Sequence, residues 1–73
     1  MKILVLNTGS SSIKYQFFET DAKTVLAKGM VERIGMSSAV LSHSRHDGDS
    51  IRLVAEILDH SVAIEYVLAV LLS

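Results

Sequence analysis

The sequence predicts an α/β fold in which an antiparallel, hairpin-rich sheet of about five strands precedes one apolar helix. Three observations carry this expectation. Short β-type runs separated by turn residues recur from Lys2 to Ile57. Asp47-Gly48 is a strong tight-turn signal between two of those runs. From Val62 to Leu72 the chain becomes apolar with helical spacing.

Lys2 to Leu6 reads as the first strand, and its run Ile3-Leu4-Val5-Leu6 shows no polar alternation, which predicts burial on both faces. The chain then turns through Asn7-Thr8-Gly9-Ser10 into a second strand, Ser11 to Glu19, forming an antiparallel hairpin. Thr20-Asp21-Ala22-Lys23 supplies a polar turn into a third strand, Thr24 to Arg33, which Gly35 ends. Ala39 to Ser44 is the fourth strand. Ile51 to Ile57 reads as the fifth, with a helix as the competing reading because Leu, Ala and Glu favour one. Asp59 or Ser61 caps the final helix, whose stripe is Ile64, Val67, Leu68 and Leu71.

Composition excludes several classes of function. Seven basic and eight acidic residues leave a formal net charge of -1, so the chain lacks the electrostatic footprint of a nucleic-acid or anionic-membrane binder. The apolar stretch near the carboxyl end falls short of the roughly 18 residues that a membrane span needs. No cysteine is present, which excludes a disulfide or Cys-rich metal framework and is compatible with a reducing, cytoplasmic setting. At 73 residues and 49% hydrophobic, the apolar load exceeds what a solitary small domain covers. The expectation is one piece of an α/β domain, residues 1–73, whose remaining cover comes from further chain.

The first hairpin carries the chemistry. Strand parity places Lys14 with Ser12 on one face, opposite Ile13, Tyr15 and Phe17, which suit a core. Gly9 leaves room for close backbone approach, and the loop's N–H groups, the hydroxyls of Ser10 and Ser12, and the Lys14 ammonium together suit a phosphate. The P-loop pattern is absent, and a strand rather than a helix follows, so the arrangement is a phosphate-binding β-hairpin. Each residue also has a plainer reading. Asn7 and the three serines suit a turn, and Lys14 suits a solvated strand surface.

Met1 to Gln16, an aliphatic strand followed by Asn7-Thr8-Gly9-Ser10-Ser11-Ser12-Ile13-Lys14 and an aromatic residue, resembles the opening of the acetate kinase family. Glu32-Arg33-Ile34-Gly35 resembles a second segment of that family, one that favours it over its propionate and butyrate relatives. The resemblance implies an amino-terminal portion of an actin-like ATPase (ribonuclease H-like) domain in a much longer chain. It implies reversible transfer of the terminal phosphoryl of ATP to acetate, giving acetyl phosphate and ADP, with Mg2+, in a protein that is a homodimer at full length. It further implies that Lys14, Ser10, Ser12 and Gly9 contact ATP. Asn7 matches the family residue beside the metal and, as a neutral amide, would act through a metal-bound water or a phosphate oxygen. The family's other catalytic residues lie outside these residues, so the segment alone is expected to be inactive. The alternatives are a non-catalytic β-rich module whose helix docks on a partner, and a propionate or butyrate kinase relative.

The remaining candidates read as structural. His43, His46, Asp47 and Asp49 form the one cluster resembling a metal site, but the Asp47-Gly48 turn accounts for the acid without a metal. His60 reads as a first-turn helix residue, Glu32 and Arg33 as a surface pair, and Met30 and Met36 as packing residues.

Overall fold

A computed structural model describes residues 1–72. The chain forms β1 (Lys2–Thr8), β2 (Ile13–Glu19), β3 (Thr24–Glu32), β4 (Ala39–Arg45), β5 (Ser50–Ala55) and α1 (His60–Leu72). The five strands lie in chain order as an antiparallel meander, as the turn signals predict. Ile51 to Ala55 is strand rather than helix, because pairing with Ala39 to His43 outweighs local propensity. The β2–β3 ladder shifts register between Phe17 and Phe18.

One sheet face is covered. Ile13, Tyr15, Val31, Ala39 and Leu41 project from it and join Ala63 and Val67 of α1, with Ile34 and Ile57 closing the core from two connections. Asp59 caps the helix: its Oδ1 accepts from Val62 N–H at 3.0 Å, and its carbonyl accepts from Ala63 N–H at 3.1 Å. The buried positions are Ala63 and Val67, four apart on one stripe, and Leu68 is exposed rather than part of the inward face. Met36 is exposed too, so it is no packing residue here.

The expectation that β1 is buried on both faces is corrected. Ile3 and Val5 are 39% and 41% exposed, whereas Leu4 and Leu6 are half-buried against the core. The reason is topological: β1 is an edge strand, and the helix covers only one face of the sheet among the described residues. β1 also runs further than expected and β2 starts later, which places Asn7 inside a strand and Ser11 and Ser12 in the loop.

The β3–β4 connection begins with a corner. Arg33 and Gly35 have φ of 62° and 86°, and between them Ile34 turns its side chain into the core. That corner lies directly against the first hairpin, since Ile34 N–H donates to the Ser11 carbonyl at 2.9 Å. No helix among the described residues is long and apolar enough to cross a membrane.

Candidate functional site

The loop between β1 and β2 comprises Gly9, Ser10, Ser11 and Ser12, because Thr8 and Ile13 are the last paired residues of the hairpin. Gly9 N–H donates to the Ser12 carbonyl at 2.8 Å and closes the turn. A Cβ at Gly9 would stand 3.0 Å from Ser12 Oγ, so glycine permits the tight approach of the two loop arms. From outside, Ile34 N–H holds the Ser11 carbonyl, and His60 Nε2 lies 2.8 Å from the Gly9 carbonyl. Elements far along the chain therefore fix a segment whose own residues have little conformational preference.

Next to the loop, Asn7 and Lys14 are direct cross-strand partners. Their parity is opposite to that of Ile13 and Tyr15, so both face away from α1, and Lys14 is exposed. A shallow concavity of about 430 Å3 lies on this open face, bordered by Asn7, Lys14, Gln16, Lys28, Ser42 and Ser44. Two ammonium groups, two amides and two hydroxyls around one trough suit an anion with several acceptor oxygens. The structure thus brings Asn7 and Lys14 together, while Gly9, Ser10 and Ser12 sit at the hairpin tip and do not line the trough.

Among the described residues no three carboxylate, imidazole or thiolate groups converge to hold a metal. The four-residue cluster of the sequence is dispersed. His43 is buried on the core face, where Tyr15 Oη lies 2.5 Å from its Nδ1. His46 Nδ1 lies 3.3 Å from the Leu26 carbonyl, and Asp47 Oδ1 accepts from Asp49 N–H at 3.1 Å as part of the β4–β5 turn. Asn7 contributes a neutral amide with no carboxylate neighbour in the trough, a donor set that fits a contact through water or phosphate and not a cage for a bare cation.

The acid-base groups with shifted titration belong to the fold, not to this face. Burial pushes the Tyr15 phenol up to about 12. Burial, and secondarily the positive charge of Arg45, holds the His43 imidazole below its ordinary value. The hydrogen bond from the terminal amino group, followed by that from the Asp21 N–H, lowers the Glu19 carboxyl.

Sequence reasoning did not find the braces of the loop. Ile34 and His60 act on backbone carbonyls, and no pattern in the residues at 11 or 9 announces a partner 23 or 51 positions away. Glu32 to Gly35 stands out by resemblance alone, and nothing in that segment signals the contact of Ile34 N–H with the Ser11 carbonyl.

The sequence profile of the Acetokinase family matches residues 2–73. An acetate kinase of Desulfitobacterium hafniense (strain DSM 10664 / DCB-2) is 53% identical over 73 residues, covering 100% of this chain and 18% of that protein. One from Azobacteroides pseudotrichonymphae is 49% identical over the same length, again covering 18% of the relative. The crystal structure of Porphyromonas gingivalis acetate kinase superposes with a TM-score of 0.91 at 39% identity, over 99% of this chain and 18% of that one. The chain therefore spans under a fifth of the length of the relatives it matches, and over that span the fold, the loop sequence and the profile agree that it belongs to the acetokinase family.

Proposed function

We propose that this chain is the amino-terminal piece of an acetate kinase and supplies part of the grip on the terminal phosphates of ATP. The reaction is reversible transfer of that phosphoryl group to acetate. A carboxylate oxygen of acetate forms a bond to the γ-phosphorus, the bond from that phosphorus to the bridging oxygen breaks, and the electron pair leaves with ADP. Little covalent chemistry is asked of the protein, so its task is to position the reactants and stabilise charge.

The observation that carries the reading is the Asn7–Lys14 cross-strand pair beside a braced Gly9–Ser12 loop, in a chain matched to the family across residues 2–73. Lys14 would neutralise phosphate oxygens as charge shifts toward the leaving group. The hydroxyls of Ser10 and Ser12 and the loop's N–H groups would hold the phosphate from the hairpin tip. Asn7 would meet Mg2+ through a bound water or share a phosphate oxygen with it, the ion supplying neutralisation of phosphate charge when bound. The acyl pocket and the groups that complete the transition state would come from the rest of a longer chain, so these residues alone would not catalyse the transfer.

The test is Lys14→Ala in the full-length protein that carries this segment. A phosphate-binding Lys14 predicts a loss of about tenfold or more in kcat/KM for ATP, as expected for a charge-assisted contact of about 1.5–3 kcal/mol. Unchanged nucleotide affinity and turnover would show that the hairpin is not a phosphate site.

A further inference from the structure

We infer that His60 is a positioning residue for the hairpin loop: by donating from Nε2 to the Gly9 carbonyl, it aims the Ser10 amide outward at the nucleotide's phosphates. The inference rests on the reading of Gly9–Ser12 as a phosphate grip. The contact itself is independent of that reading.

His60 Nε2 and the Gly9 oxygen are 2.8 Å apart. A carbonyl can only accept, so Nε2 carries the hydrogen and the tautomer is set by the contact. The imidazole is well placed to act as a strut, because His60 is the first residue of α1 and is half-buried. Asp59 fixes the first turn through Val62 N–H, and Ala63 and Val67 lock the same helix into the core. The loop end of the contact is the opposite in character: a glycine followed by three serines has many accessible conformations unless something outside selects one.

The direction follows from peptide geometry. There is no cis peptide bond among the described residues. In a trans peptide the carbonyl of one residue and the N–H of the next point in opposite directions. Tying the Gly9 oxygen to the start of α1 therefore directs the Ser10 N–H away from the helix. Ser10 is exposed, and its N–H has no hydrogen-bond partner among the described residues. The neighbouring contact works in the same way: Ile34 N–H holds the Ser11 carbonyl and so directs the Ser12 N–H away from the β3–β4 corner. With Gly9 N–H committed to the turn itself, these two braces orient the amides left to meet an anion.

The experiment uses the full-length protein and compares His60→Leu, His60→Asn and His60→Gln with wild type and with Lys14→Ala. The Gln amide nitrogen reaches about as far as Nε2, whereas the Asn amide overlays Nδ1 and stops short of Gly9. Loss of one hydrogen bond predicts that His60→Leu and His60→Asn each raise the KM for ATP by about fivefold and leave the KM for acetate unchanged. His60→Gln stays within about twofold of wild type. A 15N spectrum of the wild-type imidazole, showing hydrogen at Nε2 and not at Nδ1, is the matching signature. Wild-type KM for ATP in both His60→Leu and His60→Asn overturns the inference, as does a His60→Gln protein as impaired as they are. If Lys14→Ala raises the KM for ATP and the histidine variants do not, the inference on His60 falls and the phosphate reading stands. If Lys14→Ala also leaves ATP binding unchanged, the phosphate reading itself falls.

Discussion

Gly29→Ala adds a single methyl group at a position where the fold has no room for it. Tyr15, Gly29 and His43 form one cross-strand row over three strands. The Tyr15 ring lies across Gly29 to reach His43, with ring centroids 5.8 Å apart and planes inclined by 23°. A methyl group at position 29 would overlap Tyr15 Oη and Cζ on one side and the Ser42 carbonyl oxygen on the other. Glycine is needed here for space, since only Gly35 and Gly48 among the glycines have positive φ. Overpacking of this kind costs about 1–3 kcal/mol. Displacing the phenol also strips His43 of its hydrogen bond inside the core, a further ~1–3 kcal/mol for a buried polar group left without a partner.

A total of about 2–6 kcal/mol is a large share of the ~5–15 kcal/mol typical of folded proteins. In the full-length protein that carries this segment, with a urea dependence of about 3 kcal/mol per molar, the unfolding midpoint should fall by about 1–2 M, or the variant should not fold. Urea titration followed by circular dichroism reads this directly. Removing the aromatic ring relieves only half of the conflict, because the Ser42 oxygen belongs to the backbone of β4. Tyr15→Leu/Gly29→Ala should therefore remain less stable than Tyr15→Leu alone. A Gly29→Ala midpoint within about 0.3 M of wild type would refute the reasoning, because the row would then have room that the geometry denies.

Two further outcomes concern protonation. The unfolded chain binds a proton at His43 near the ordinary value of 6.5, whereas the folded chain resists protonation until lower pH, so stability present above 6.5 should decline as the pH falls below it. Tyr15 mirrors this on the alkaline side: its phenol ionises near 10.0 when unfolded and near 12 when folded, so stability should be lost as pH rises across that window. Tyr15→Phe should flatten the alkaline arm of a stability-versus-pH curve, and an unchanged arm would assign the loss to other groups. At the sheet edge, the terminal ammonium of Met1 contacts Glu19 Oε1 at 2.9 Å and Asp21 Oδ2 at 3.1 Å. Acetylating the amino terminus should move the Glu19 carboxyl titration back up toward its ordinary value, as followed by NMR. A Glu19 titration indifferent to acetylation would contradict the contact.

Much of the fold was legible in the residues because its signals are local. Asp47-Gly48 marks its turn because Gly48 occupies φ of 101°, a conformation that glycine adopts without strain. The alternation gave Ile13 and Tyr15 as inner and Lys14 as outer residues of β2, although Phe17 is only half-buried and lies outside the core, and Asp59 was named as one of two possible caps. What misled was Ile3-Leu4-Val5-Leu6. An unbroken aliphatic run states that both faces are apolar, but not that both are covered, and cover depends on what packs there. The helix stripe failed at Leu68 for a related reason: hydrophobicity nearly all round the helix leaves no pattern from which to choose the buried side.

At the candidate site the division is similar. Asn7, Gly9, Ser10, Ser12 and Lys14 could be named in advance because they are contiguous and their residue types suit phosphate. Their division into a strand pair facing a trough and a loop at the tip could not, since it depended on where the ladder ends.

The sequence by itself determined the order of strands and helix, the hairpin that bears the hydroxyls and lysine, and the family. All of these are carried by neighbouring residues, whose conformational preferences and chemistry act over a few positions. Only the tertiary structure decided which apolar faces are covered, why position 29 must lack a side chain, and that Ile34 and His60 hold the loop. Those outcomes arise from groups far apart in the chain meeting at hydrogen-bond or van der Waals distance, and a backbone carbonyl looks the same in every residue until folding brings a donor to it.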